Sequence, residues 1–170
     1  PRGDGYVPDA AMTATQAQDY HRAQVRTFAA TEADLVTAIT MNYVEEAQGV
    51  ARAAREAGMP VALSFTVETD GRLPTGDTLR SAIERVDEDT NGYPAYYMIN
   101  CAHPTHFAQV LQDDAPWVRR IGGVRANASR MSHAELNEAT ELDAGDPDEL
   151  AHEHAELVRR LPALRVFGGC

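Results

Sequence analysis

The sequence predicts an α/β protein of the (β/α)8 TIM-barrel type, present as an incomplete barrel of about five βα units. Three observations carry that reading. Helical and strand-like segments alternate along the whole chain, the strand-like runs are mostly apolar throughout, and short polar clusters recur directly after them. Continuous apolar runs are expected where both faces of a parallel sheet are buried. A barrel gathers its chemistry on the loops at the C-terminal ends of its strands, which is where the polar clusters fall. A doubly wound sheet would also be complete with five strands, but the glycine-rich phosphate loop that usually follows one of its early strands is missing from the sequence.

The elements follow in order. From Thr13 to about Ala30, Tyr20, Val25 and Phe28 recur at roughly helical spacing, and the apolar run at 33–40 follows as a strand. Val44, Ala47, Val50 and Ala54 mark the next helix, with Gly58 as its stop and Pro60 just beyond. "VALSFTV" from Val61 is a strand, followed by a helix at 77–90, a strand at 95–100, a helix at 105–119, a strand at 123–127, a helix at 147–161 and a strand at 164–167. Strand starts near 34, 61, 95, 123 and 164 give about 30 residues per βα unit. No boundary splits this series, so 1–170 reads as a single domain, with 129–146 as a functional or irregular loop.

Composition narrows the partners. Fifteen Lys+Arg against 26 Asp+Glu leave a formal charge of −11, which repels phosphate backbones and anionic lipid surfaces, so neither nucleic acid nor membrane is an expected partner. No apolar run approaches the length of a membrane span, and no basic segment precedes an apolar one at the start, so a cytoplasmic location is expected. Two cysteines far apart in sequence are no disulfide framework; in a reducing compartment such thiols are free, metal-binding or catalytic. The chain starts at Pro1 without an initiator Met and stops at Cys170 straight after an apolar run and two glycines, which reads as a piece of a longer protein.

The polar clusters at the strand ends are Thr40-Met41-Asn42, Glu68-Thr69-Asp70, Asn100-Cys101-Ala102-His103, Asn127-Ala128-Ser129 and Gly168-Gly169-Cys170. Loops at that face converge on the barrel axis, so Cys101 and Cys170 could meet; the alternative is two small buried residues. His103 and His106 flank Pro104, which begins a helix and sets them on different sides of its first turn, so a role beside Cys101 suits His103 better than direct metal ligation. His152 and His154 sit in a charged helix and read as solvated surface. Glu45 and Glu46 read as a solvated helix start supported by the macrodipole. Asp4 and Tyr6, in "RGDGY", either border the site or form an ordinary turn.

"YMINCAHPTHF", the terminal "VFGGC" and "ALSFTVETDGRLPTGDTL" between them resemble the homocysteine S-methyltransferase family, zinc enzymes on a (β/α)8 barrel. The resemblance runs through the chain in order and makes the visible strands the fourth to eighth of the barrel. It implies that Cys101, in the asparagine–cysteine pair, and Cys170, after the glycine pair, are catalytic zinc ligands, with a third ligand beyond residue 170. Asn100, His103, Thr40, Glu68 and Asn127 then become candidate substrate-binding residues, for a small-molecule thiol acceptor and a methyl donor. One departure stands out. Where the family carries a glutamate that binds the amino group of homocysteine, the corresponding position holds Ile39, which implies weak homocysteine binding unless Glu68 or Asp70 supplies the charge.

The implied chemistry suits these residue types. A thiol near pKa 8.5 is mostly protonated at neutral pH, whereas one on zinc is deprotonated and held in place. Two rival readings come from other classes: a metal-dependent hydrolase using His103 and His106, and a binding protein that kept the barrel without the chemistry.

Overall fold

The computed structural model describes residues 11–111 and 115–170. Its centre is a parallel sheet of five strands, β1 (Val36–Met41), β2 (Val61–Thr66), β3 (Tyr96–Asn100), β4 (Ile121–Ala126) and β5 (Val166–Gly169), paired in chain order. A doubly wound sheet reverses its order at a switch point. This one does not, and with helices alternating between the strands it is an incomplete (β/α)8 unit.

Local sequence accounts for the helices. Thr13 and Gln16 form a capping box at the start of α1 (Ala14–Ala29), and α2 (Val44–Glu56) follows β1 after a short turn. Thr78 caps α3 (Leu79–Thr90), which ends on Asn91 in the left-handed conformation at φ 55°. His103 caps the short α4 (Pro104–Phe107), with Pro104 in the first turn, where its missing N–H costs nothing. Ser132 and Glu135 box the start of α5 (His133–Glu138), inside the expected loop, and Asp146 caps α6 (Pro147–Arg160).

Two expectations are corrected here. The helix expected at 105–119 is instead α4 with 310 turns at Ala108–Leu111 and Val118–Arg120. Pro116 lies in that stretch and can neither donate to a helix nor accept the preceding turn without a clash. Glu46 is fully buried rather than solvated, and accepts a 2.9 Å hydrogen bond from His21 Nε2. The reason is the close crossing of α1 on α2: a Cβ at Gly49 would lie 2.6 Å from the Gln18 nitrogen and 2.7 Å from the Ala14 carbonyl. Burial raises the Glu46 carboxyl, but the opposing effects, of which the hydrogen bond from His21 is the largest, together leave it below the ordinary value. Glu45, half exposed, pairs with Arg85 at 2.6 Å.

The two faces of the sheet differ. Val61, Leu63, Phe65, Tyr97, Ile99 and Val124 join Val50, Ala54, Ile83 and Val86 in the main apolar core under the helices. The alternate positions, among them Ser64, Thr66, Asn100 and Arg125, therefore face what would be the barrel interior. Gly123 leaves room there for Met98, whose Cγ would lie 2.8 Å from a Cβ at that position. No helix among the described residues is long and apolar enough to cross a membrane. Asp4 and Tyr6 lie outside the described residues.

Candidate metal and substrate site

The strand ends bring the two cysteines together. Cys101 follows β3 directly, in the left-handed region at φ 55°, and its N–H donates to the Arg125 carbonyl at 3.0 Å. Cys170 follows β5 and donates to the Ala126 carbonyl at 3.0 Å, so both cysteines hang on β4. Their sulfurs are joined as a disulfide, with Cα atoms 5.3 Å apart across 69 residues of sequence.

Asn100 organises this end of the sheet. Its Oδ1 accepts from the Thr40 N–H at 3.0 Å and from the Ser64 hydroxyl at 2.5 Å; its Nδ2 donates to Thr40 Oγ1 at 3.1 Å and to Cys101 Sγ at 3.1 Å. Two acceptor positions and two donors are all that a primary amide has, so the side chain is saturated. It is only 1 % exposed. Asn100 therefore ties β1, β2 and the Cys101 sulfur into one unit and has no group left to offer a ligand in this arrangement. Thr40 is held in the left-handed region as well, at φ 61°.

A second layer closes over Cys101. His133, at the start of α5, reaches the Glu68 carboxylate with Nδ1 at 3.0 Å and the Cys101 carbonyl with Nε2 at 2.7 Å. Glu68 lies two residues beyond β2, so this histidine spans two loops of the site. Asn127 turns its amide oxygen back to the Ser129 N–H at 3.0 Å, and the Ser129 hydroxyl donates to Asp143 at 2.7 Å, which holds that carboxyl below its ordinary range.

His103 and His106 are engaged with partners other than the cysteines. The Nδ1 of His103 accepts from the Thr105 N–H at 3.3 Å, which leaves the proton on Nε2, 3.2 Å from the Glu153 carboxylate. Burial, reinforced by the positive charge of Arg130, pushes His103 down to about 4, so it is neutral near pH 7. His106 Nε2 lies 2.9 Å from the Arg130 carbonyl. His152 is well exposed, and the Nδ1 of His154 bonds the Leu150 carbonyl one turn back. Ile39 is 41 % exposed on β1, and nothing about its side chain replaces a carboxylate.

Two residues that share this region escape a reading of motifs, His133 and Arg125, while Ser64 lies in the quoted "ALSFTVETDGRLPTGDTL" without a role of its own there. Arg125 did leave a signal, a single charge inside the apolar strand "IGGVRA".

Among the described residues, no three His, Cys, Asp or Glu side chains converge as a metal cluster. The Cys101–Cys170 pair nevertheless fits two ligands of a thiophilic metal. Both are sulfur donors at one point of the sheet, and an amide N–H already rests on one sulfur, as in the supporting hydrogen bonds of zinc ligands.

A parallel sheet paired in chain order, with two cysteines meeting at its C-terminal edge, defines part of a (β/α)8 barrel whose cysteine pair stands on the face where such barrels carry their sites. The family model for homocysteine S-methyltransferase matches residues 2–170, and the chain belongs to that family. Among solved structures it is similar to the homocysteine methyltransferase MmuM from Escherichia coli. The metallated form matches with TM-score 0.69 at 19 % identity, covering 99 % of this chain and 51 % of that one. The oxidized form matches with TM-score 0.71 at 21 % identity over the same shares, and the apo form with 0.64 at 20 % over 96 % and 55 %. At such identities the likeness establishes the fold. The chain spans about half the length of these structures. Comparison with curated protein sequences gave no match.

Proposed function

We propose that residues 1–170 form the C-terminal portion of a (β/α)8 barrel that transfers a methyl group from a sulfonium or quaternary ammonium donor to a thiol such as homocysteine. Cys101 and Cys170 are two of its zinc ligands. The observation that carries this is the meeting of these two cysteines at the ends of β3 and β5, in a chain of this family.

Zinc bound there would supply the acceptor thiol in its deprotonated form, at neutral pH, without a separate base. The chain's own residues do the rest. Asn100 aims Cys101 Sγ and fixes β1 against β2, while His133 holds the Cys101 carbonyl and Glu68 in place. In the transfer, a lone pair of the acceptor sulfur forms the new S–CH3 bond. The electrons of the donor's S–CH3 or N–CH3 bond leave with the donor, which loses its positive charge. With homocysteine the product is methionine. Orienting two reactants for such an in-line displacement can be worth about 7–11 kcal/mol. The reading requires both cysteines reduced, which agrees with a cytoplasmic site of action. The commitment of His103 to Glu153 and of His106 to the Arg130 carbonyl speaks against the hydrolase alternative.

The test is Cys101→Ser in the complete protein. It should release most of the zinc and abolish methyl transfer while the circular dichroism spectrum stays that of the folded barrel. Full zinc content with full activity in that variant would overturn the assignment.

A further inference from the structure

Arg125 lies on the inward face of β4. Its register partners are Asn100 on β3 and Gly168 on β5, while its neighbours Val124 and Ala126 belong to the core under the helices. Its side chain therefore leaves the sheet on the same face as Asn100. Gly168 makes the room: a Cβ there would lie 3.1 Å from Arg125 Cγ. The guanidinium reaches toward the strand ends, where Nη2 donates to the Gly169 carbonyl at 3.2 Å, one residue before Cys170.

A guanidinium carries five N–H donors. Among the described residues no carboxylate pairs with that of Arg125, whereas Arg52, Arg85 and Arg120 are each bonded to an aspartate or glutamate. A partly buried cation without a counter-ion is an unfavourable arrangement unless something anionic joins it. The planar fork of arginine fits a carboxylate in two-point fashion. On β1, the apolar side chain of Ile39 offers no charge to an acceptor's ammonium.

We propose that Arg125 receives the carboxylate of an amino-acid acceptor whose thiol is directed to the Cys101–Cys170 end of the strands. This rests on the methyl-transfer reading and adds which end of the acceptor is recognised, and by which residue. Specificity then passes from the ammonium to the carboxylate.

The experiment compares kcat/KM in the complete enzyme for homocysteine and for its decarboxylated analogue, which keeps the thiol and the ammonium. The wild type should favour homocysteine by about ten- to a hundred-fold, the usual worth of a charge-assisted hydrogen bond. In Arg125→Gln that ratio should fall toward one; in Arg125→Lys, which keeps the charge and loses the fork, it should lie between. A wild type with no preference overturns the proposal without any variant, and so does a Gln or Lys variant whose preference equals that of the wild type. Absence of methyl transfer to either thiol overturns it together with the function on which it rests, whereas transfer without preference overturns it alone.

Discussion

Helices α2 and α6 are nearly equal in length, 13 and 14 residues, yet α2 buries eight of its residues and α6 buries one, Leu157. The strands repeat the contrast: every residue of β2 is buried, while β5 is largely exposed. The difference is one of position, since α6 has an amphipathic sequence of its own. α2 lies with α1 on one flank and α3 on the other and packs on β1 and β2, whereas β5 is the last strand of the sheet and α6 is the helix just before it. Val158 and Phe167, both about half exposed, are apolar side chains that a further βα unit would cover. Burial in a barrel wall is conferred by the next unit as much as by the sequence of the element itself.

The contrast can be sharpened by substitution. The largest effect is expected in the finished part: Leu63→Ala empties a fully buried position of β2 and should cost about 2–5 kcal/mol in urea unfolding. Next is Gly49→Ala. It adds one methyl where α1 and α2 touch, against backbone atoms that cannot swing aside, and should cost about 1–3 kcal/mol with a lowered melting temperature. The smallest is Val158→Ala on α6, expected within about 0.5 kcal/mol in this chain. An equal loss at Leu63 and Val158 would break the comparison. A cost at Val158 that rises in the complete barrel would confirm that the missing neighbour, and not the helix, sets the value.

Much of this was legible in the sequence because its signals are local. Continuous apolar runs gave the five strands, observed at Val36, Val61, Tyr96, Ile121 and Val166 against expected starts near 34, 61, 95, 123 and 164. Polar residues just past those runs located the face on which Cys101 and Cys170 come together. What could not be read depends on contacts between elements. The burial of Glu46 follows from a helix crossing at Gly49, and the saturation of Asn100 needs the register of three strands at once. The broken helix after β3 is different. Pro116 is a local signal within the stretch expected to be helical at 105–119, and a proline inside a helix removes a hydrogen bond and clashes with the preceding turn.

Asn100 also constrains how this sequence can drift. Its amide meets Thr40 and Ser64 on two other strands, and both Thr40 and Cys101 adopt a backbone region that residues other than glycine seldom visit. Loss of either hydroxyl would leave the buried amide one hydrogen bond short, a cost of about 0.5–1.5 kcal/mol. Single exchanges at Thr40, Ser64 or Asn100 are thus selected against, while coordinated ones are open. Across homologous sequences the three positions should covary, as a single inherited trait spread over 60 residues of chain.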